Sequence, residues 1–355
     1  MERSRRAAGP SVGPGASPSV EPAASPSVGL AAVIVAATDG TPRVLTVPVP
    51  DPAPERREGL PAGPLAPDHP TLERGLRAWV ERQTDQTLGY VEQLYTFGDR
   101  DRRPGGGHAL SVAYLALVRE ARPTRPAEAS WRDWYRYFPY EDWRAGRPVL
   151  LDALASHLEA WAETAADAAG RQRRHDRIGL TFGFGGGGWN EERVLERYEL
   201  LFEAGLVPEA TAGPEAVPGP EAVPGPEAVP GPELMPEAGA GAVLCGQPMA
   251  HDHRRMLATA IGRLRGKIKY RPVVFELMPP AFSLGQLQRG VEALSGVLLH
   301  KQNFRRLVAQ QGLVEETDAV TAATGGRPAR LMRFRREVLL ERPAPGVRMP
   351  AGRRG

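Results

Sequence analysis

Cysteine is almost absent from this chain of 355 residues. The single cysteine, Cys245, can neither close an internal disulfide nor supply a thiolate zinc site alone. No stretch approaches the ~20 consecutive apolar residues that a membrane helix needs, and residues 1–29 lack the apolar core of a signal peptide. Hydrophobic residues still make up 41% of the chain, enough to build a core. We therefore expect a soluble, cytoplasmic protein with two folded units, and no membrane partner.

Lysine is also scarce, and charge is distributed unevenly. The three lysines, Lys267, Lys269 and Lys301, all lie toward the C-terminus. Residues 1–245 carry 25 Arg against 34 Asp and Glu, a net charge of −9, whereas residues 246–355 carry 20 Lys and Arg against 8 acids, a net charge of +12. A genome-wide composition bias would act on both parts alike. The segregation therefore indicates a basic C-terminal domain that binds a polyanion.

Low-complexity segments divide the chain. Residues 1–28 repeat Ser-Pro-Ser-Val and predict a disordered tail, and residues 343–355 predict a disordered basic tail. Between residues 206 and 245 a Gly-Pro-Glu-Ala-Val-Pro hexapeptide recurs, and two prolines in every six residues exclude both helix and sheet. We expect that segment to be a flexible insertion. The folded units are then residues 29–270, apart from the insertion, and residues 271–342.

The first unit combines strand and helix patterns. Apolar runs at residues 30–37 and 43–47 flank an Asp-Gly turn and predict a β-hairpin. Residues 71–84 are predicted to be helical because apolar side chains recur every four positions, and residues 111–118 predict another strand. An aromatic cluster follows at residues 131–143. We expect it mainly to pack in a core, with stacking on a base or adenine ring as the alternative.

The C-terminal unit has the pattern of a winged helix-turn-helix. Ser283 is a predicted N-cap for a helix that Gly296 ends, and a second helix is predicted from Lys301 to about residue 310. A glycine-containing turn at residues 325–328 then joins two short strands, as in a β-hairpin wing. In such a domain the second helix enters the major groove of DNA, and the wing reaches phosphates or the adjacent minor groove.

The candidate DNA-contacting residues are polar side chains at these positions. They are Ser283 at the first helix, Lys301, Gln302, Asn303, Arg305 and Arg306 on the second helix, and Arg327 and Arg330 on the wing. Arginine recognises guanine and asparagine recognises adenine, each through two hydrogen bonds. The simpler interpretation is a solvated helix face. Because the Arg-Arg pair lies on the second of two helices in a basic domain, we favour contact with double-stranded operator DNA.

Five sequence segments in this part of the chain, in the same order and with the same spacing, resemble the Nudix-related transcriptional regulators. They are RLRGK at residues 263–267, YRPVVFELMP at 270–279, FSLGQL at 282–287, NFRR at 303–306 and GRPAR at 326–330. The resemblance covers residues 29–342 apart from the proline repeat. It implies an α/β (α+β) fold in which a Nudix-like α/β/α sandwich is followed by a C-terminal winged helix-turn-helix domain.

The Nudix-like part lacks the residues of Nudix chemistry. The Nudix signature is G-x5-E-x7-R-E-U-x-E-E-x-G-U, where U is aliphatic, and its glutamates hold a divalent metal against a pyrophosphate. When the signature is aligned from Gly63 with a spacing one residue longer than its own, its first glutamate falls on Pro70. Its core arginine and three core glutamates fall on Ala78, Trp79, Arg82 and Gln83. The sequence therefore predicts no catalytic residue, no metal site and no enzyme.

Two alternatives remain open at this point. The first is a Nudix-type pyrophosphohydrolase acting on ADP-ribose or NADH-like substrates, with displaced acids such as Glu73 and Glu81 as its metal ligands. The second is a nucleotide-binding adaptor whose winged helix contacts protein. Magnesium-dependent turnover distinguishes the first alternative, and the absence of salt-sensitive DNA binding distinguishes the second.

Three further segments indicate which branch of the family the chain resembles. WNEE at residues 189–192, LERYELL at 195–201 and HDHRR at 251–255 look like the alphaproteobacterial NAD-biosynthesis regulator branch of the family. This resemblance implies a homodimeric repressor of NAD biosynthesis genes that requires no cofactor. Its nucleotide effector would be NAD, ADP-ribose or ATP. The effector-binding residues are unknown, because the signature positions are the altered ones.

Other motifs have simpler interpretations. Residues 183–188 match the G-x-G-x-x-G pattern of dinucleotide-binding folds, but that site needs a strand on each side of its helix. The segment that follows runs into the proline repeat, so a glycine loop is favoured. His251 and His253 are two residues apart without a nearby cysteine that completes a zinc spacing. We expect them to be polar residues at a helix start.

Overall fold

The computed structural model describes residues 27–49, 57–98, 109–121, 129–211, 244–321, 328–341 and 346–347. Most of the two predicted tails and of the proline repeat lies outside these residues, as does the predicted DNA-contacting residue Arg327. No described helix is long and apolar enough to cross a membrane.

A mixed sheet forms the centre of the molecule. Its strands are β1 Ser27–Thr38, β2 Thr41–Val49, β3 Arg57–Gly59, β4 Ala62–Pro64, β5 Tyr90–Phe97, β6 Ala109–Leu117 and β7 Ser130–Asp133. The strand order is β3-β2-β1-β6-β5, with β4 also pairing with β1 and β7 with β2. Strands β1 and β6 are parallel, whereas β2 and β5 are antiparallel to their neighbours.

The predicted hairpin is confirmed. Thr38 pairs with Thr41 across a turn in which Asp39 has φ 51° and Gly40 has φ 77°, and glycine enters this left-handed region without steric cost. Residues 30–36 of β1 are all buried. A continuous apolar run is typical of a strand that is covered on both faces of a sheet, so β1 is the middle of an α/β/α arrangement.

One face of the sheet is covered by α1, Leu72–Thr84. The side chain of Thr71 accepts a hydrogen bond from the backbone N–H of Arg74 and caps the helix, which confirms the predicted element. Leu76 and Val80 are fully buried in a core that they share with alternate residues of β1, Leu30, Ala32, Ile34 and Ala36.

The opposite face is covered by α6, His253–Ile268, which contacts β1 and β5. Helix α4, Val194–Glu203, packs on α6, and α3, Ala168–Phe182, and α2, Leu150–Glu163, follow outward. A short helix, α5 Pro208–Thr211, extends from α4. Because α3 is a helix, the glycine segment at 183–188 does not follow a strand, and the dinucleotide-binding alternative is excluded. The aromatic side chains Trp134, Tyr137, Phe138 and Tyr140 have no exposed surface, in agreement with core packing.

The C-terminal part has the elements of a winged helix. They are a 3-10 helix at Val273–Leu277, α7 Leu284–Ser295, α8 Lys301–Gln311, β8 Val314–Thr321, β9 Ala329–Phe334 and α9 Val338–Glu341. Strands β8 and β9 pair as an antiparallel hairpin. Phe282 forms an isolated bridge with Met332, with N···O distances of 2.9 and 2.8 Å, and so ties the start of α7 to the wing.

The hydrophobic core is continuous across the predicted boundary at residue 270. Leu287 and Val291 of α7 and Phe304 of α8 lie in the same buried cluster as Val33 and Val35 of β1. Helix α7 contacts β1 and β2 directly. The winged helix is therefore held against the sheet and is not suspended from it by a linker.

Candidate nucleic-acid interface

Helix α8 separates its side chains into an apolar face and a polar face. Phe304 and Val308, four positions apart, are buried at 0% and 1% exposure. They point into the core and fix the rotation of the helix about its axis. The exposed side chains on the other face are Lys301, Gln302, Asn303, Arg305 and Arg306, the five that the sequence predicts there. Packing therefore presents one contiguous polar surface to solvent.

The charges on this surface have the same sign. Lys301, Arg305 and Arg306 carry positive charge, and α8 contains no acidic residue. Lys301 and Arg305 are four positions apart, so their charges are neighbours on one face and disfavour each other. Within the part of the chain that the structure describes, none of the three forms an ion pair. A bound polyanion would supply the missing counter-charge.

Ser283 takes the predicted N-cap position of α7. It is 6% exposed, and its side chain accepts a hydrogen bond from the backbone N–H of Gln286. The side chain of Gln286 returns a bond to the backbone N–H of Ser283, which completes a capping box. The hydroxyl oxygen and the backbone N–H of Ser283 are both used in this cap, and its contact with DNA stays a prediction.

The wing presents arginines that are already paired. Arg330 contacts Glu316 at 2.5 Å and Arg333 contacts Glu315 at 2.6 Å. Both pairs are exposed, so their net contribution to stability is at most ~1 kcal/mol each. Arg330 is thus available at the surface, but only in competition with a carboxylate. Arg327, predicted to accompany it, lies outside the described residues.

A buried cluster of charged side chains lies between the first unit and helix α7. The carboxylate of Glu141 accepts hydrogen bonds from Arg197 at 2.6 and 3.0 Å and from Arg265 at 2.6 Å. All three side chains are 0% exposed. We call these three residues the junction cluster. It brings together the segment after β7, helix α4 and helix α6 at one point.

The junction cluster is connected to the C-terminal end of α7. The Nε of Arg265 donates to the carbonyl of Leu294 at 3.0 Å, and the hydroxyl of Tyr135 donates to the carbonyl of Ala293 at 2.8 Å. Gly296, which ends α7, accepts from the backbone N–H of Trp143 at 2.7 Å. The last carbonyls of a helix have no partner within that helix. Here the first unit supplies the partners, and so fixes where the turn into α8 begins.

Charge is retained in this buried cluster. Burial acts to lower the pKa of Arg265, but Tyr135 and Glu141 outweigh it, and the pKa lies above its ordinary value. Burial raises the pKa of Tyr135, so its hydroxyl remains a donor. Sequence reasoning missed the cluster, although one signal was present. Arg265 lies among Ile261, Leu264 and Ile268, on the apolar face of α6.

A second residue of the RLRGK segment also ties the fold together. The ammonium of Lys267 contacts the carboxylate of Glu92 and donates to the hydroxyl of Tyr90 at 2.9 Å, both on β5. The segment that carries the family resemblance therefore contains two structural cations, Arg265 and Lys267. Both hold α6 to its neighbours.

Trp79 and Gln83 of α1 hold the loop before the helix by packing and neutral hydrogen bonds. The ring of Trp79 lies against Gly63 so closely that a side chain there has no room, and its Nε1 donates to the carbonyl of Pro64 at 2.9 Å. The side-chain amide of Gln83 bonds both the N–H and the carbonyl of Ala62, at 3.1 and 2.9 Å. These contacts join the loop to the helix.

The acids named in the hydrolase alternative do not converge. Glu73 pairs with Arg77 at 2.9 Å, whereas Glu81 is exposed. Eight positions along a helix correspond to ~12 Å, too far for two carboxylates to share one metal ion. Among the described residues, no three His, Cys, Asp or Glu side chains form a possible metal site.

Two other candidate groups are buried in the fold. The Nδ1 of His253 accepts from the backbone N–H of Leu60 at 3.0 Å, so this histidine joins α6 to the segment after β3. Cys245 is 1% exposed, and burial raises the pKa of its thiol to about 11. Such a thiol is protonated at neutral pH and is a poor nucleophile.

An open cleft of about 480 Å³ lies between the start of α4 and the second half of α6. Its lining is polar and comes from Asn190, Glu192, Arg193, Glu196, Gly262, Arg263, Gly266 and Tyr270. The cleft is on the side of the sheet opposite α1. No effector-binding residue was predicted, and the balanced charges of this lining do not select a ligand.

Comparison with known proteins supports this architecture. Residues 274–334 match the NrtR DNA-binding winged helix domain. The chain is 44% identical over 86 residues to the ADPR responsive transcriptional repressor NtrR of Acinetobacter baylyi, which is 24% of this chain and 34% of the relative. The match thus spans about a third of that relative's length. The structure of Shewanella oneidensis NrtR complexed with a 27mer DNA covers 88% of this chain and 94% of its own, with TM-score 0.50 and 18% identity.

The two kinds of comparison agree with the fold described above. The structural likeness covers 88% of this chain, and at 18% identity it shows the fold alone. The sequence match identifies the type of the C-terminal domain. The chain therefore has a Nudix-like α/β fold followed by an NrtR-type winged helix domain at residues 274–334.

Proposed function

We propose that this protein is a transcriptional repressor that binds double-stranded operator DNA through α8 and the wing. The observation that carries the proposal is the exposed face of α8, where Lys301, Arg305 and Arg306 have no counter-charge among the described residues. A helix of this kind in a winged helix-turn-helix lies in the major groove. The name of the Acinetobacter relative, a transcriptional repressor, supports the same assignment.

The regulated signal is proposed to be a nucleotide related to NAD. ADP-ribose is the first candidate because the Acinetobacter relative is named as ADPR responsive, and NAD and ATP are the others. The target genes are proposed to be those of NAD biosynthesis. The effector acts only if it binds the DNA-competent and DNA-incompetent states with different affinity, since equal affinity shifts nothing. The working form is proposed to be a cytoplasmic homodimer without a cofactor.

Enzymatic activity is not part of this proposal. In the alignment with one extra residue after Gly63, Trp79 and Gln83 fall where the signature has glutamates, and both side chains hold the loop before α1 by neutral hydrogen bonds, which supports this expectation. We expect no magnesium-dependent turnover of ADP-ribose or NADH. Turnover that the Glu81→Gln variant lacks would contradict this and would revive the hydrolase alternative.

Fluorescence anisotropy tests the proposal. The full-length protein is titrated onto duplexes from the promoters of its host's NAD-synthesis genes and onto a scrambled duplex of equal length, each with and without ADP-ribose, NAD and ATP. We expect tight binding to a promoter duplex that one nucleotide alters. Equal binding to both duplexes would remove the proposed target genes, and the absence of salt-sensitive binding would favour the adaptor alternative.

A further inference from the structure

The two elements expected to contact DNA differ in their charge. Helix α8 has three cationic side chains and no acid. Strand β8 of the wing contains Glu315, Glu316 and Asp318, whereas β9 contains Arg330 and Arg333. The described part of the wing therefore carries a net charge of −1, although Arg330 was expected to contact DNA. This inference rests on the proposed DNA binding and concerns how the wing takes part in it.

The β8–β9 hairpin has one ion pair on each of its two faces. Glu315 is directly opposite Arg333 in the strand register, and their side chains are 2.6 Å apart. Glu316 is opposite Met332, so Arg330, two residues before Met332, lies on the same face and reaches Glu316 at 2.5 Å across a register shift. Side chains alternate between the faces of a strand. Whichever face meets the duplex, its described arginine is already neutralised.

We propose that Glu315 and Glu316 are specificity-determining residues that limit the binding of the wing to unrelated DNA. A phosphate must displace a carboxylate before it can pair with Arg330 or Arg333. Replacing the carboxylate by a phosphate is favourable only where α8 has docked in the major groove of its operator. There α8 holds the wing close to the sugar-phosphate backbone of the DNA. On other sequences the carboxylates keep the arginines and repel phosphate.

The exposure of the pairs makes the exchange feasible. Arg330 and Glu316 are 62% and 61% exposed, and Arg333 and Glu315 are 64% and 39% exposed. Exposed ion pairs are weak and screened by salt. The pairs therefore open at low free-energy cost when the protein binds its operator. Each pair is still strong enough to reduce the affinity for unrelated DNA by about 1.5- to 5-fold.

The test uses the full-length Glu316→Gln and Glu315→Gln variants. Binding to a scrambled duplex and to a duplex that the unchanged protein selects from a randomised library is measured by anisotropy at several salt concentrations. Freeing one arginine adds about one phosphate contact, so the slope of log affinity against log salt should steepen by about 0.9. Affinity for the scrambled duplex should rise more than affinity for the selected duplex.

The matched control is Glu337→Gln. Glu337 is an exposed acid of the same domain and has no ion pair among the described residues. The Glu337→Gln substitution removes the same unit of negative charge but does not free an arginine. A second variant, Arg330→Ala combined with Glu316→Gln, should return the slope to that of the unchanged protein.

The outcomes separate this inference from the proposed function. If Glu316→Gln and Glu315→Gln behave like Glu337→Gln, the inference is wrong and the proposed DNA binding stands. If Arg330→Ala leaves the steeper slope of Glu316→Gln in place, the freed arginine is not the cause and the inference is also wrong. If the unchanged protein binds neither duplex in a salt-dependent way, the proposed function fails and the inference fails with it.

Discussion

Arginines serve opposite purposes in the junction cluster and on α8. In the junction cluster Arg197 and Arg265 are fully buried and share the carboxylate of Glu141. On α8 Arg305 and Arg306 are exposed, with no acid on their helix. Removing a charge from water costs several kcal/mol unless it is paired, whereas an exposed charge keeps its hydration. The first pair of arginines therefore determines the architecture, and the second remains available to a polyanion.

The comparison also explains how the two parts of the molecule are connected. The junction cluster reaches the last carbonyls of α7 through Arg265 and Tyr135. The next helix in the chain is α8, whose polar surface faces solvent. The buried arginine thus fixes the scaffold from which the exposed arginines project. A change at either place should affect DNA binding, but only the change at the junction cluster should affect stability.

The largest expected effect is that of Glu141→Gln. The substitution keeps the shape of the side chain but leaves Arg197 and Arg265 buried without a counter-charge. Removing one partner of a buried ion pair costs ~3–5 kcal/mol, and we expect the free energy of unfolding to fall by this amount in urea titrations.

Glu203→Gln is the matched control for this loss of stability. Glu203 also binds an arginine through both oxygens, Arg177 at 2.9 and 2.6 Å, but both side chains are 48% exposed. Its loss should cost less than ~1 kcal/mol. Equal destabilisation by the two substitutions would show that burial is not what distinguishes the junction cluster.

An intermediate effect is expected for Arg305→Ala and Arg306→Ala. Each should weaken binding to the selected duplex by ~1–3 kcal/mol if its guanidinium contacts a base, because α8 places both side chains on its exposed face. Thermal unfolding should be unchanged, since neither side chain is paired within the described fold. Arg173→Ala removes the same charge from an exposed position on α3 and should leave affinity unchanged. Retained affinity in both α8 variants would exclude this docking of the helix.

Local features of the fold could be predicted from the sequence. Helix α1 lies within the predicted residues 71–84, the Asp39-Gly40 turn joins β1 to β2, and α8 begins at Lys301, as expected. Each depends on side-chain periodicity or on a cap within a few residues. The exposed face of α8 follows from the same local pattern.

Long-range contacts could not be predicted in this way. Glu141 binds Arg197 and Arg265, which are 56 and 124 residues away in the chain. The continuous core between the sheet and α7 likewise depends on how distant segments meet. The start of α7 combines both kinds of contact. The sequence correctly placed Ser283 at the helix start, but it did not indicate the bridge between Phe282 and Met332 that ties this start to the wing.

The smallest expected effect is that of Ser283→Ala. It tests whether this residue belongs to the scaffold, like Arg265, or to the DNA-contacting surface, like Arg305. Loss of the capping box should lower the free energy of unfolding by ~1 kcal/mol. Gln286→Ala breaks the other half of the same box and should have an effect of similar sign. Because the Ser283 side chain is buried in the cap, affinity for the selected duplex should be retained under conditions where the variant is folded. A loss of affinity in Ser283→Ala that Gln286→Ala does not share would instead place Ser283 with Arg305 and Arg306 on the DNA-contacting surface.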